Sequence, residues 1–246
     1  MIKILLFSLL LISACNTSAG CVTINRIDQI ENTYIAEKGE SFVDDLRIYK
    51  SVAALSVDQK DTDSPYIMAS GFAVSKTLIF SAGHFCLAAH EGPVKGKLKE
   101  KINMTVVVGN RLAEKKEILK IKAIDEATDL CILESEGNHG LIPLRLQRKY
   151  FKNVYVGQKV YTVGNPLGVF PAKSVGYVIL PKSNDPDPIA KNRMFINISI
   201  SFGNSGSPVI GKNGRIIGMI VAGEIGSDIT IAVRSDVMIK FLMSVK

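Results

Sequence analysis

Short apolar runs, each closed off by turn residues, constrain this chain more than any other feature. They begin at "KSVAALSV" (50–57) and continue through "YIMASGFAVS", "TLIFSA", "INMTVVVG", "KEILKIKAI" and "DLCILE". A polar stretch near 135–153 interrupts them, and "QKVYTVG", "SVGYVIL", "RMFINISI", "GSPVI", "RIIGMIVAG" and "DITIAV" follow. The runs are rich in Val and Ile and punctuated by Gly, Asn, Asp and Pro, the pattern of an all-β protein with about twelve strands. Two sets of six fit two small barrels or sandwiches packed together. Asn213-Gly214 between two runs predicts a tight hairpin with positive φ at both positions. "PKSNDPDPIAK" (181–191) reads as an exposed loop, because its prolines cannot donate to a ladder. The tail "SDVMIKFLMSVK" reads as a helix over about 235–245, capped by Ser235 or Asp236, with Val237, Phe241 and Val245 at helical spacing.

The first residues stand apart. "MIKILLFSLLLISAC" carries Lys3 and then an apolar run from Ile4 to Ile12, too short to span a bilayer and suited to a signal peptide. It ends in Ile12-Ser13-Ala14-Cys15, which resembles the lipobox of bacterial lipoproteins. On that reading residues 1–14 are removed and Cys15 is lipidated; the alternative is an ordinary secretory peptide cut near Ala19. Both imply export, either as a membrane-anchored lipoprotein at the periplasmic or cell surface or as a secreted protein. Two or more acyl chains would make the anchor stable. A polar leader, 15–48, follows.

The formal charge of +7 becomes +6 once Lys3 is removed, spread along the chain without a dense basic block. It could favour an anionic membrane surface or acidic partners. No nucleic-acid signature accompanies it, so no nucleic-acid partner is expected. Cys15 and Cys21 lie near the cleavage site and Cys86 and Cys131 in the body. No C-x-x-C pair occurs, so neither a metal site nor a cofactor is expected.

Three residues suggest chemistry. His84 follows an apolar run in "FSAGHFC". Asp129 opens another in "EATDLCILE", where a carboxylate needs a partner, either a backbone N–H or an imidazole. Ser205 lies in "SFGNSGSPVI", where serine between glycines serves equally as a turn residue. The order His, Asp, Ser is that of the chymotrypsin-type triad. An α/β-hydrolase order fails because no histidine follows His139. The other two histidines, His90 and His139, read as surface residues in turns.

Taken in order, "SAGH", "TDLCIL", "VGNPLG", "GNSGSP" and "IAVRSD" resemble the segments of trypsin-like serine proteases of the bacterial HtrA/Deg type, over about residues 50–244. The resemblance implies a chymotrypsin-like fold of two six-stranded antiparallel β-barrels with a C-terminal helix. The protease domain is expected over 49–246, with barrels at about 49–140 and 150–234. It implies a serine endopeptidase acting on protein or peptide substrates. His84 would be the base, Asp129 its orienting acid and Ser205 the nucleophile, with the backbone N–H groups of Gly203 and Ser205 as the oxyanion hole. The specificity pocket is expected near Ser199, Ile200, Ile220 and Gly223. No acid is expected at its base, so small or medium aliphatic side chains would be preferred loosely.

Some positions depart from the family pattern. The chain stops at Lys246 directly after the expected helix, so the PDZ domain usual in HtrA proteins is not expected. Ser207 replaces a usual glycine and resembles the bacterial glutamyl endopeptidases. Their glutamate preference is associated with a histidine where this chain has Ile220, so it is not carried over. Asn204 stands where relatives activated by cleavage carry an aspartate that pairs with a new N-terminal ammonium. Being neutral, it cannot, so trimming is not expected to switch activity on. If His84 and Asp129 meet, Cys86 and Cys131, each two residues further on, come close as well. The sequence leaves open whether they form a disulfide or remain two buried thiols. It also leaves open a protease fold that only holds peptides, and a hydrolase acting on esters.

Overall fold

The computed structural model describes residues 47–59, 65–91, 98–108, 111–187, 189–223 and 228–245. The expected signal segment 1–14, Cys15 and the leader up to residue 46 lie outside the described residues. Strands β1 (Val52–Gln59), β2 (Pro65–Ala73), β3 (Leu78–Ala82), β4 (Leu98–Val108), β5 (Arg111–Asp125) and β6 (Leu130–Glu134) close into one barrel, in the order β1-β2-β3-β6-β5-β4. Strands β7 (Lys159–Gly164), β8 (Ala172–Leu180), β9 (Arg193–Ile196), β10 (Pro208–Gly211), β11 (Ile216–Gly223) and β12 (Thr230–Arg234) close the second, in the order β10-β11-β12-β9-β8-β7. The strand pairs are antiparallel throughout. Helix α1 (Gly83–Glu91) follows β3, the single turn α2 (Tyr150–Asn153) precedes β7, and α3 (Ser235–Ser244) ends the described chain.

Several strands read as unbroken apolar runs because both of their faces are buried. Along β6, Cys131 and Leu133 point into the first barrel, whereas Leu130 and Ile132 belong to a cluster shared by both barrels. Along β11, Ile217 and Ile220 fill the second barrel, whereas Met219 and Val221 join the shared cluster. Phe72 and Phe80 stack within that cluster at 5.9 Å, and Phe241 of α3 packs on Phe80 at 6.4 Å. Each large side chain buried there contributes about 1.5–3 kcal/mol. The barrels are thereby held face to face by core rather than by a linker.

Local details differ from the sequence reading. Of the Asn213-Gly214 pair only Gly214 has positive φ, at 69°. Gly211 N–H donates to Arg215 C=O, so the turn carries three residues, and a left-handed glycine ends it. Neither Ser235 nor Asp236 caps α3: Arg234 is the cap position, and Ser235 donates its hydroxyl to Gln147 C=O at 2.9 Å. His139 is fully buried, not a surface residue, and its Nδ1 accepts from Leu141 N–H at 3.1 Å. His90 is exposed, but in the last turn of a helix.

Candidate active site

The strand β3 runs straight into α1 at Gly83, and the two residues at this junction meet the loop before β6. Gly83 N–H donates to Asp129 C=O at 3.0 Å. A Cβ at residue 83 would sit 3.0 Å from the Asp129 carboxylate and from Leu130 N, so glycine permits the approach. His84 N–H donates to Asp129 Oδ1 at 2.7 Å, and the His84 Nδ1 lies 2.9 Å from Oδ2 and 3.1 Å from Oδ1. Both partners foreseen for the carboxylate are therefore present. The carboxylate thus sits at the N-terminal end of α1. An ionised carboxylate only accepts, so Nδ1 carries the proton, and Nε2 of the neutral ring keeps its lone pair. The imidazole side chain is 51% exposed and the carboxylate 21%.

Asp129 is held in a left-handed conformation, φ 58°, rare outside glycine though tolerated by Asp. A turn built by Asp125 supports it. The Asp125 carboxylate accepts from Ala127 N–H at 3.1 Å, Thr128 N–H at 3.4 Å and Thr128 Oγ1–H at 2.6 Å. Behind this pair, Cys86 of α1 and Cys131 of β6 are joined by a disulfide, with Cα atoms 6.4 Å apart.

Ser205 sits in a turn on the second barrel. Asn204 N–H bonds Ser201 C=O at 3.1 Å, Ser207 N–H bonds Asn204 C=O at 2.9 Å and Gly206 N–H bonds Ile220 C=O at 2.8 Å. The N–H groups of Gly203 and Ser205 alternate with these, and among the described residues neither has an acceptor. Gly203 has φ 96° and Gly206 φ 86°, values that L side chains resist. A side chain at 203 would overlap the Asn165 carbonyl, and one at 206 the Ser70 carbonyl.

A buried serine of β2, which the sequence reading passed over, ties this turn to the first barrel. Ser70 N–H donates to Ser205 C=O at 2.8 Å, and Ser70 Oγ donates to Gly203 C=O at 2.8 Å while accepting from Asn165 N–H at 3.0 Å. Ser81, three residues before His84, donates its hydroxyl to Ser70 C=O at 2.8 Å. The only signal available was a small polar residue inside an apolar run. Ser70→Ala keeps the volume but strands two buried partners. Thermal melting should report a loss of about 1–3 kcal/mol. An unchanged midpoint would refute the structural role of Ser70.

His84 and Asp129 are thus bonded, and Ser205 is carried next to the segment leading to His84. Among the described residues no hydrogen bond joins Ser205 Oγ to His84. The four residues expected to line a pocket have different surroundings. Ile220 is fully buried in the second barrel's core, and its backbone brackets the Ser205 turn through bonds to Gly206 and Ser207. Ile200 lies against Gly223, where a Cβ would meet its Cγ1 at 3.0 Å. Ser199 Oγ donates to the carboxylate of exposed Asp228 at 2.7 Å.

Comparison with known proteins adds two findings. The family described as trypsin-like peptidase domain matches residues 69–219. Among solved structures, that of Deg5 is similar at TM-score 0.64 and 21% identity, over 83% of this chain and 95% of that one. The active form of the Rv3671c protease from M. tuberculosis is similar at TM-score 0.61 and 18% identity, over 82% of this chain and 83% of that one. No curated protein matches the chain.

Proposed function

Since the chain belongs to the trypsin-like peptidase domain family, we propose that it is an exported serine endopeptidase working through His84, Asp129 and Ser205. The observation that carries this reading is the His84–Asp129 pair, which leaves Nε2 as the basic nitrogen. In the proposed reaction Ser205 Oγ bonds to the scissile carbonyl carbon while its proton passes to His84 Nε2. Asp129 holds the ring and offsets the cation that forms. Negative charge grows on the carbonyl oxygen and is met by the N–H groups of Gly203 and Ser205, free of internal acceptors among the described residues. One such donor is worth about 3–4 kcal/mol. Collapse of this adduct breaks the C–N bond, and His84 returns the proton to the leaving amine. Water, deprotonated by the same ring, then frees the acyl group and restores Ser205.

Ile200 against Gly223 supports an apolar, narrow pocket and a loose preference for small or medium aliphatic residues before the scissile bond. Cleavage of a peptide library by the mature chain, with Ser205→Ala as control, tests both activity and preference. Cutting mainly after Lys or Arg would overturn the aliphatic assignment and point to Asp228. Asn204 supports activity that does not wait for N-terminal trimming.

A second reading, a peptide-holding module without turnover, is favoured by the missing Ser205–His84 hydrogen bond. Such bonds are often long without substrate and tighten in the complex, so the hydrolytic reading is preferred; fluorophosphonate labelling separates the two. An ester hydrolase would label as well but would leave the peptide library uncut.

Anchoring through a lipid on Cys15 is part of the proposal. Membrane fractions should hold the wild-type protein, and Cys15→Ala should move it to the soluble fraction; an unchanged distribution would rule the anchor out.

A further inference from the structure

Arg193 opens β9 in the second barrel, yet its side chain reaches across to the first. Its Nη1 donates to the Thr128 carbonyl at 2.7 Å, and Thr128 immediately precedes Asp129. Arg193 is half-buried, and burial lowers its pKa, while the charges of Asp129 and Asp125 act in the opposite direction. A guanidinium nevertheless stays charged. Among the described residues it makes no direct ion pair, so its charge reaches Asp129 through space. Taking a cation out of water is costly unless something is gained nearby.

We infer that Arg193 is a positioning residue for the Asp129–His84 pair: its bond to Thr128 fixes the 125–129 loop, and its charge keeps His84 neutral to lower pH. This rests on the proposed role of His84 as the base. Asp129 stabilises the protonated ring; a fixed cation behind Asp129 offsets part of that field. Among the described residues, Asp125 and exposed Glu126 lie on the same loop as Asp129, and negative charge there favours the cation. His90 lies at the opposite end of α1.

The test is the pH dependence of the rate at which a fluorophosphonate probe labels Ser205 in the full chain. Labelling requires neutral His84, so its acid limb reports that ring. Arg193→Met should move the limb to higher pH. Arg193→Lys should bring it back toward the wild-type position, because the charge is kept. Arg193→Gln, which retains a donor for Thr128, should shift the limb as Met does. A slower plateau with the limb unmoved in both neutral variants would make Arg193 merely structural and overturn the inference. So would neutral variants that fail to fold while Arg193→Lys folds. A wild-type chain that does not label at all would instead sink the reading of Ser205 and His84 on which the inference rests.

Discussion

Ser205→Ala is expected to lower peptide hydrolysis by roughly 10^5–10^6 and to abolish fluorophosphonate labelling. The expected effect is this large because in the proposed reaction the hydroxyl is the atom that bonds to the substrate carbon. Water must then attack, helped only by the oxyanion donors and by bound-state alignment. Stability should hardly move. Ser205 is partly exposed, and among the described residues its Oγ makes no hydrogen bond, so the substitution strands no buried partner. A melting midpoint within the range of about 0.5 kcal/mol typical of neutral surface changes is expected. His84→Ala should cost about as much as Ser205→Ala, and the double variant little more, since the groups act as a unit. Peptide cleavage that survives Ser205→Ala would remove the nucleophile assignment.

Replacing both Cys86 and Cys131 by Ala costs about 4 kcal/mol of folding free energy. The bridge closes a loop with a sequence separation of 45, and the chain-entropy model assigns a loop of that size this value. Domains of ordinary stability hold only about 5–15 kcal/mol in total, so the variant sits near its unfolding threshold. Alanine is the replacement to use, because both positions are fully buried and a serine would add an unpaired hydroxyl. The bridge also joins the helix that carries His84 to the strand that follows Asp129. Labelling should therefore fade at a lower temperature than in the wild type. A midpoint unaffected by either the substitutions or a reductant would refute this.

Much of the architecture was legible because β3, β6 and β11 are buried on both faces and so leave unbroken apolar runs. The break between the two sets of six marks the step from one barrel to the next. Helix α1 escaped notice: nine residues beginning with glycine carry little periodicity, and its start is set by the Asp129 carboxylate, 45 residues away in sequence. The run "RMFINISI" extends past β9 because Ile198 leaves the ladder and accepts from Thr230 instead. His139 read as a surface residue because nothing local marks burial; Leu141 N–H supplies its partner. His84 and Asp129 were legible as a pair because a carboxylate at the mouth of a buried strand demands a counterpart. Ser70, Ser81 and Arg193 were not, since their partners belong to distant segments and a lone serine or arginine carries no such demand.

The bonds that Ser70 makes to Gly203 and Ser205 have a consequence for the order in which the molecule acquires its shape. Translation delivers the first half well before residue 205 exists, so until then there is no second half for Ser70 to hold. The turn that carries Ser205 is thus set in its native shape only when the two halves dock, and whatever that turn does begins at that step.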